Sequence, residues 1–352
     1  DFCIKGCSRK PIGGQKVLYE FANRLCSKGH VVTIVFPSMD MFYQLPFPVS
    51  IRVFLCKVLT DVTRIFPPWF KLDKRIKLVT TRDYDEKNFP NADVVVATQA
   101  ETALPVSMMP GRCGKKLYFI QDYETWAMEE SELIETYRLG MTNIVVSNWL
   151  KDVVENKSGA MACCIPNAID TNKFRIITTI ENRNAATIGL LWHIGEHKGL
   201  KYALDALERV KNRHPEIQVI MFGATQAPKD LPSWYEFHFR ASEPEVVEIY
   251  NRCSIFICAT IDEGFGLTGA ESMACGCALA STDYTGVKEY ATHNYNALLS
   301  PVKNSHQLAE NICRLIEDND LRIKIARNGA ESIKHRTWEQ AVSDFEKIAF
   351  AQ

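Results

Sequence analysis

The chain has 352 residues, 46% of them apolar and 24% charged, which supplies material for two globular cores. Its net charge of −1 leaves no global positive field, so nucleic acid is not an expected partner. No apolar run approaches the roughly 20 residues a spanning helix needs and no charged-then-apolar leader is seen, which predicts a soluble or peripheral protein.

The sequence opens without Met at Asp1-Phe2-Cys3-Ile4, which reads as part of a first strand in a fragment or processed product. Between residues 14 and 28, Val17, Leu18, Phe21, Ala22 and Leu25 form an i, i+3, i+4, i+7 stripe, and Gly29 follows. This spacing predicts a helix with a glycine at its C′ position. Buried strands are predicted at His30 to Phe36, Asp93 to Ala97, Leu117 to Ile120 and Ile144 to Ser147. Strands alternating with helices imply a parallel sheet.

The rhythm stops after Pro166-Asn167-Ala168-Ile169-Asp170. It resumes with strands at Ala186 to Leu191, Gln218 to Phe222, Ile255 to Ala259 and Ala278 to Ser281, separated by helices at Lys201 to Asn212, Glu243 to Asn251 and Leu267 to Ala274. Residues 305–317 and 320–334 read as closing helices, and a last one begins near Trp338. The expected organisation is an N-terminal domain over 1–170, a linker over 171–184, a second doubly wound domain over 185–336 and a C-terminal helix over 337–352. Ligands of such sheets bind outside the carboxyl ends of the strands, so the chemistry is expected in a cleft between the two domains.

The 12 cysteines are irregularly spaced. Cys163 and Cys164 are adjacent, Cys275 and Cys277 bracket a glycine, and Cys3 and Cys7 match no paired CxxC, so tetrahedral zinc is not expected. Reduced, buried thiols predict a cytoplasmic protein.

The densest segment is Asp262-Glu263-Gly264-Phe265-Gly266-Leu267-Thr268-Gly269-Ala270-Glu271, between a predicted strand and a predicted helix. Such a turn presents backbone N–H groups and a positive helix end to an anion. Small residues at 264, 266 and 269 admit a diphosphate close to the main chain, while two carboxylates eight residues apart can grip hydroxyls on either side. Together these describe a nucleotide sugar. Two other readings stand beside it. Thr268-x-x-Glu271 has the spacing of a capping box, and Gly264-x-Gly266-x-x-Gly269 with Asp283 about 20 residues on has that of a dinucleotide fingerprint.

Glu263 and Glu271 stand as E-x7-E in EGFGLTGAE, followed by SMACGCALASTDYTGVKEY. This resembles the donor-site signature of the large family 4 of GT-B glycosyltransferases. IGGQKVLYEFANRLCSKGHVVTIV, IPNAIDTNKF and EHKGLKYALDAL are similar to that family's glycine loop and first helix, its interdomain segment and its lysine-bearing turn. The resemblance implies an α/β protein of GT-B architecture, two doubly wound Rossmann-like domains facing across a cleft. It implies retaining transfer of a hexose-type sugar from a nucleotide-sugar donor to a glycan, lipid-linked or other hydroxyl acceptor, with no metal or other cofactor. By the same resemblance Glu263 contacts the sugar, Glu271 the ribose, and Gly264, Phe265, Gly266, Leu267 and Thr268 the diphosphate. Lys198, in His197-Lys198-Gly199, neutralises the departing diphosphate.

An arginine often stands five or six residues before that lysine in the family, but here the residues are Trp192 and His193; a protonated His193 is the candidate substitute, although a lone histidine after a strand more often has a structural role. Gly13 and Gly14 resemble the loop that closes near the donor phosphates. Gln121-Asp122-Tyr123-Glu124 follows a predicted strand; Asp122 is the candidate for sugar or acceptor contact, although the cluster also reads as a helix cap. Asp283 and Glu289 flank a further loop near the expected sugar. Residues 52–82 carry eight Lys or Arg, two Asp, and Phe66, Pro67, Pro68, Trp69 and Phe70, which reads either as a solvated face with packed rings or as a peripheral membrane contact. A nicotinamide oxidoreductase and a non-catalytic sugar-binding relative are the alternatives for the whole chain.

Overall fold

A computed structural model describes residues 1–6, 8, 10–37, 46–63 and 67–351. The chain forms two compact units, unit 1 from Asp1–Pro166 with Glu339–Gln352, and unit 2 from Asn167–Trp338.

In unit 1, β1 (Phe2–Cys3), β2 (Thr33–Pro37), β3 (Lys77–Thr81), β4 (Val94–Ala97), β5 (Lys115–Ile120), β6 (Thr142–Val145) and β7 (Ala162–Cys164) make one parallel sheet. Its order is β3-β2-β1-β4-β5-β6-β7. The helices are α1 (Gly13–Ser27), α2 (Val49–Lys57), α3 (Ala100–Ser107), α4 (Glu130–Tyr137) and α5 (Asn148–Ser158). The predicted stripe of α1 is buried in full, and Gly29, at φ +100°, takes the left-handed turn that releases the chain into β2. The strand predicted at Ile144 to Ser147 ends earlier, at Val145, because Ser147 caps α5 by accepting from Leu150 N at 3.2 Å.

In unit 2, β8 (Thr187–Leu191), β9 (Gln218–Gly223), β10 (Tyr235–Phe239), β11 (Ile255–Cys258), β12 (Ala278–Thr282) and β13 (Ala297–Ser300) pair in parallel in the order β10-β9-β8-β11-β12-β13. The helices are α6 (Leu200–Arg213), α7 (Glu243–Arg252), α8 (Leu267–Ala274), α9 (Ser305–Glu317) and α10 (Asn319–Ile333). Strand order reverses between β8 and β11, which is where a doubly wound sheet opens a crevice at its carboxyl edge.

The segment expected as a linker over 171–184 packs into unit 2. Phe174 and Ile180 are buried, and the buried Arg183 guanidinium donates to the carbonyls of Thr178, Tyr250, Cys253 and Cys275 and to Asn251 Oδ1. Its polar composition hid this, because backbone carbonyls satisfy the charge and no carboxylate marks it in the sequence. The last helix, α11 (Trp338–Phe350), returns to unit 1, where Phe345 meets Phe2, Phe21 and Phe119 at centroid distances of 6.0, 5.4 and 6.5 Å.

Part of the 52–82 segment is also structural. Trp69 and Phe70 pack on Tyr19 with centroids 5.7 and 5.3 Å away, and Trp69 Nε1 donates to Ser8 O at 2.9 Å. Phe66 and Cys7 lie outside the described residues. Among the described residues the cysteines are free, no His, Cys, Asp and Glu cluster offers a metal site, and no helix is long and apolar enough to cross a membrane.

Candidate active site

All strands of unit 2 run the same way, so the turns after β8 and β11 emerge side by side at the switch point. The two turns are fastened to each other. Ile261 N donates to His197 O at 2.7 Å, and Gly199, at φ +63°, presses so close to Ala259 that a Cβ there would sit 2.0 Å from its carbonyl oxygen. Only glycine fits that contact.

Helix α8 opens at Gly266, φ +94°, and no side chain caps it. Thr268 lies inside the helix, so the capping-box reading of Thr268 and Glu271 fails: the residue at N-cap is Gly266. The first turn of α8 carries no acidic residue, and among the described residues no side chain caps its amides, so they keep their dipole. Two hydroxyls hold the turn from behind. Tyr284 Oη donates to Phe265 O at 3.2 Å, Tyr290 Oη to Gly266 O at 3.0 Å, and the two oxygens are 2.7 Å apart. A Cβ on Gly266 would fall 1.8 Å from Tyr284 Oη.

Glu263 is positioned through its backbone. Gly286 N donates to Glu263 O at 3.1 Å, and Thr285 Oγ1 donates to the same oxygen at 3.2 Å and to Asp262 Oδ1 at 2.7 Å. Its carboxylate is ion-paired with Lys198 Nζ, both side chains being mostly buried. The structure thus brings Lys198 and Glu263 into contact beside the glycine turn at 264–268.

His193 stands next to them without being the expected second cation. Its Nδ1 accepts from Gly195 N at 3.0 Å, and burial, then the charge of Lys198, push its pKa below the ordinary histidine value. The neighbouring His197, ring centroid 5.6 Å away, is pushed down by the same causes. A neutral His193 keeps its Nε2–H as a donor. Trp192, at the other candidate position, is buried against Phe237, and its Nε1 meets no acceptor among the described residues.

Glu271 lies further along α8 and is buried, with Tyr250 Oη donating to Oε2 at 3.4 Å. Asp283 is exposed and faces Lys288 at 3.8 Å, and Glu289 is half-buried. The dinucleotide reading meets a topological objection. Its fingerprint belongs after the first strand of a doubly wound sheet, here β8, whereas these glycines follow β11.

In unit 1, Gly13 opens α1, and a Cβ on Gly14 would come within 3.3 Å of Gln121 Nε2, so the glycine loop lies against the turn after β5. Asp122 is half-buried and accepts from Tyr123 N at 2.9 Å. The helix-capping reading of this cluster holds for a neighbour instead: Glu124 Oε2 accepts from Ala100 N at 2.6 Å at the start of α3. Burial, opposed by that bond, pushes the Glu124 carboxyl up to about 7. Nothing in the spacing of Gln121-Asp122-Tyr123-Glu124 distinguished the buried carboxyl from its half-buried neighbours. Thr285, Tyr284 and Tyr290 were missed for a similar reason, since their roles lie in contacts across some twenty residues of chain.

Residues 179–332 match the family described as glycosyl transferases group 1. An uncharacterized glycosyltransferase of Methanocaldococcus jannaschii is 34% identical over 120 residues, covering 34% of this chain and 34% of the relative. The N,N'-diacetylbacillosaminyl-diphospho-undecaprenol alpha-1,3-N-acetylgalactosaminyltransferase of Campylobacter jejuni is 29% identical over 147 residues, covering 40% of this chain and 37% of the relative. The alignments therefore span only about a third of each of these two relatives. Anabaena HepE, solved in complex with UDP and glucose, superposes with a TM-score of 0.75 over 100% of this chain and 99% of its own, at 15% identity. That likeness shows the GT-B fold.

Proposed function

We propose, from the match of residues 179–332 to the family described as glycosyl transferases group 1, that the chain is a retaining glycosyltransferase that moves a hexose-type sugar from a nucleoside-diphosphate donor without a metal. The observation that carries the proposal is the meeting of Lys198 and Glu263 beside the uncapped start of α8. A cation and a helix N-terminus suit a diphosphate, and a carboxylate at the same edge suits sugar hydroxyls. HepE with UDP and glucose supports the donor class.

In the proposed reaction the bond between the anomeric carbon and the diphosphate oxygen breaks, and the acceptor oxygen bonds to the same face of that carbon. The departing diphosphate takes the acceptor proton. Lys198 and the amides of 264–268 stabilise its growing charge, His193 donates through Nε2–H, and Glu263 orients the sugar. Gly13 and Gly14 are assigned to the donor phosphates and Asp122 to the donor sugar or the acceptor, the acceptor being a glycan or lipid-linked hydroxyl, as the undecaprenol named for the Campylobacter jejuni relative suggests.

A thermal-shift panel of nucleotides, nucleotide sugars and nicotinamide cofactors tests the class, since a ligand of the folded state raises its stability. Nucleotide sugars should stabilise the protein; stabilisation by a nicotinamide cofactor alone would overturn the assignment. Glu271→Ala should weaken nucleoside-diphosphate binding by about tenfold to a hundredfold through the ribose, a loss of roughly 1.5–3 kcal/mol. Calorimetric titration checks this, and normal affinity would remove Glu271 from the site.

Peripheral membrane contact remains part of the proposal, on other residues than Trp69 and Phe70. On the segment from α2 to Val62, Ile51, Phe54 and Val62 are exposed, and Arg52 and Lys57 accompany them. The chain should sediment with anionic vesicles at low salt and be released at high salt, and Phe54→Ser should weaken it. Equal partitioning to neutral vesicles, or none to either, would end this part.

A further inference from the structure

Lys198 and Glu263 belong to different turns, and both turns are fixed. Gly199 is wedged on Ala259 O, Ile261 N is bonded to His197 O, and Thr285 and Gly286 hold Glu263 O. The ion pair between their side chains is therefore built into the free protein. Under the functional reading above, on which this inference rests, the same two groups serve ligands of opposite demand. Lys198 is wanted by the diphosphate, and Glu263 by hydroxyl donors of the sugar.

A diphosphate can claim Lys198 only by drawing it from Glu263, which leaves a mostly buried carboxylate facing an anion. Separating a hydrogen-bonded charge pair without replacement is unfavourable. An intact donor brings the replacement, because its sugar hydroxyls can donate to the carboxylate that Lys198 has left. The nucleoside diphosphate formed by transfer brings none. Neighbouring groups do not relieve the conflict: the Asp262 side chain is already engaged by Thr285, and the pKa values of His193 and His197 are both pushed below the ordinary histidine value, which weakens them as substitute cations.

We propose that Glu263 acts as a discriminator, holding Lys198 so that the site accepts a diphosphate that carries a sugar and rejects one that has lost it. The carboxylate thereby favours product release as well as sugar recognition. This goes beyond a sugar-contact role, and it predicts the opposite sign for one measurement. If Glu263 only touched sugar, removing its charge would leave affinity for a bare diphosphate unchanged.

The test uses the full chain and inorganic pyrophosphate, which needs neither the base nor the sugar to be known. Calorimetric or competition titration at one ionic strength should find that Glu263→Gln binds pyrophosphate about tenfold more tightly than the wild type, and that the gain disappears in Glu263→Gln/Lys198→Met. Glu263→Asp, whose shorter side chain draws the carboxylate away from Nζ, should move affinity in the same direction and serves if the glutamine variant folds poorly. An unchanged or weaker pyrophosphate affinity in the Glu263 variants overturns the inference. If the wild type turns over a nucleotide sugar and yet shows no such gain, only the discriminator fails. If the gain appears but no nucleotide sugar binds, the charge coupling stands and the transferase reading falls.

Discussion

Lys198→Met should lower kcat/KM by about a hundredfold to a thousandfold, the usual loss when one fixed group that stabilises transition-state charge is removed. Met keeps most of the apolar stem that packs in the turn, so the change isolates the ammonium. Three features make the loss large. The pKa values of the half-buried His193 and the exposed His197 beside it are pushed below the ordinary histidine value, Trp192 is buried, and the turn bearing Lys198 is tied to the next one through Ile261 N and His197 O. The effect should fall more on kcat than on binding of the nucleoside diphosphate, because the charge on the leaving oxygens is greatest in the transition state. Steady-state kinetics with the donor found by thermal shift measures it. A kcat/KM within threefold of the wild type would take Lys198 out of the reaction.

The second large effect concerns stability and pH. Glu124 is buried with its carboxyl pushed up to about 7 from 4.5, chiefly by burial, while Ala100 N works in the other direction. The groups facing it are Asp122, Glu101, Lys5, which pairs with Glu101, and the phenols of Tyr118 and Tyr137. Below the ordinary carboxyl pKa the group is protonated in both folded and unfolded chains and costs nothing. Between 4.5 and about 7 the unfolded chain gives up the proton and the folded one keeps it, so stability declines as pH rises. Above about 7 the whole penalty is present, about 3 kcal/mol at 1.36 kcal/mol per pH unit. Glu124→Gln retains an acceptor for Ala100 N and has no charge to bury. Urea unfolding at pH 5 and pH 8 should show the wild type losing about 2–3 kcal/mol more than the variant across that interval. Parallel losses would mean that Glu124 is ionised in the folded protein at both pH values.

Much of the fold was legible because its signals are local. The stripe Val17, Leu18, Phe21, Ala22 and Leu25 needs only a 3.6-residue period, and the apolar run at Val94–Ala97 needs only a strand buried on both faces. The turn at 263–271 was legible because glycine spacing and two carboxylates leave a pattern in one short stretch. Elements whose stability comes from partners were not. Strand β7 has three residues, too short for any period, and β10 is a half-exposed edge strand with Glu236 and His238 in it. The same limit applies within the site. Thr285 bonding Asp262, Tyr284 and Tyr290 bracing the glycine turn, and the Lys198–Glu263 pair are tertiary facts, created when separate βα turns meet at one edge of a sheet. His193 shows the same limit: its residue type leaves a cationic and a structural role open, and only its surroundings, which lower its pKa, bear on the choice.

The placement of α11 also sets a timetable for synthesis. The aromatic cluster that Phe345 completes with Phe2, Phe21 and Phe119 draws three of its rings from the early chain and one from the late chain, and Lys115 Nζ also waits for the carbonyl of Ile348, 2.8 Å away. At about 5–20 residues per second, a ribosome needs on the order of ten seconds or more to make Asn167–Trp338. Through that interval unit 1 stands with part of its core uncovered, while unit 2 has every strand and helix it needs as soon as Trp338 emerges. The domain made first is thus the one that finishes folding last, and a nascent chain stalled between 167 and 338 should be recognised by chaperones through the rings of Phe2, Phe21 and Phe119.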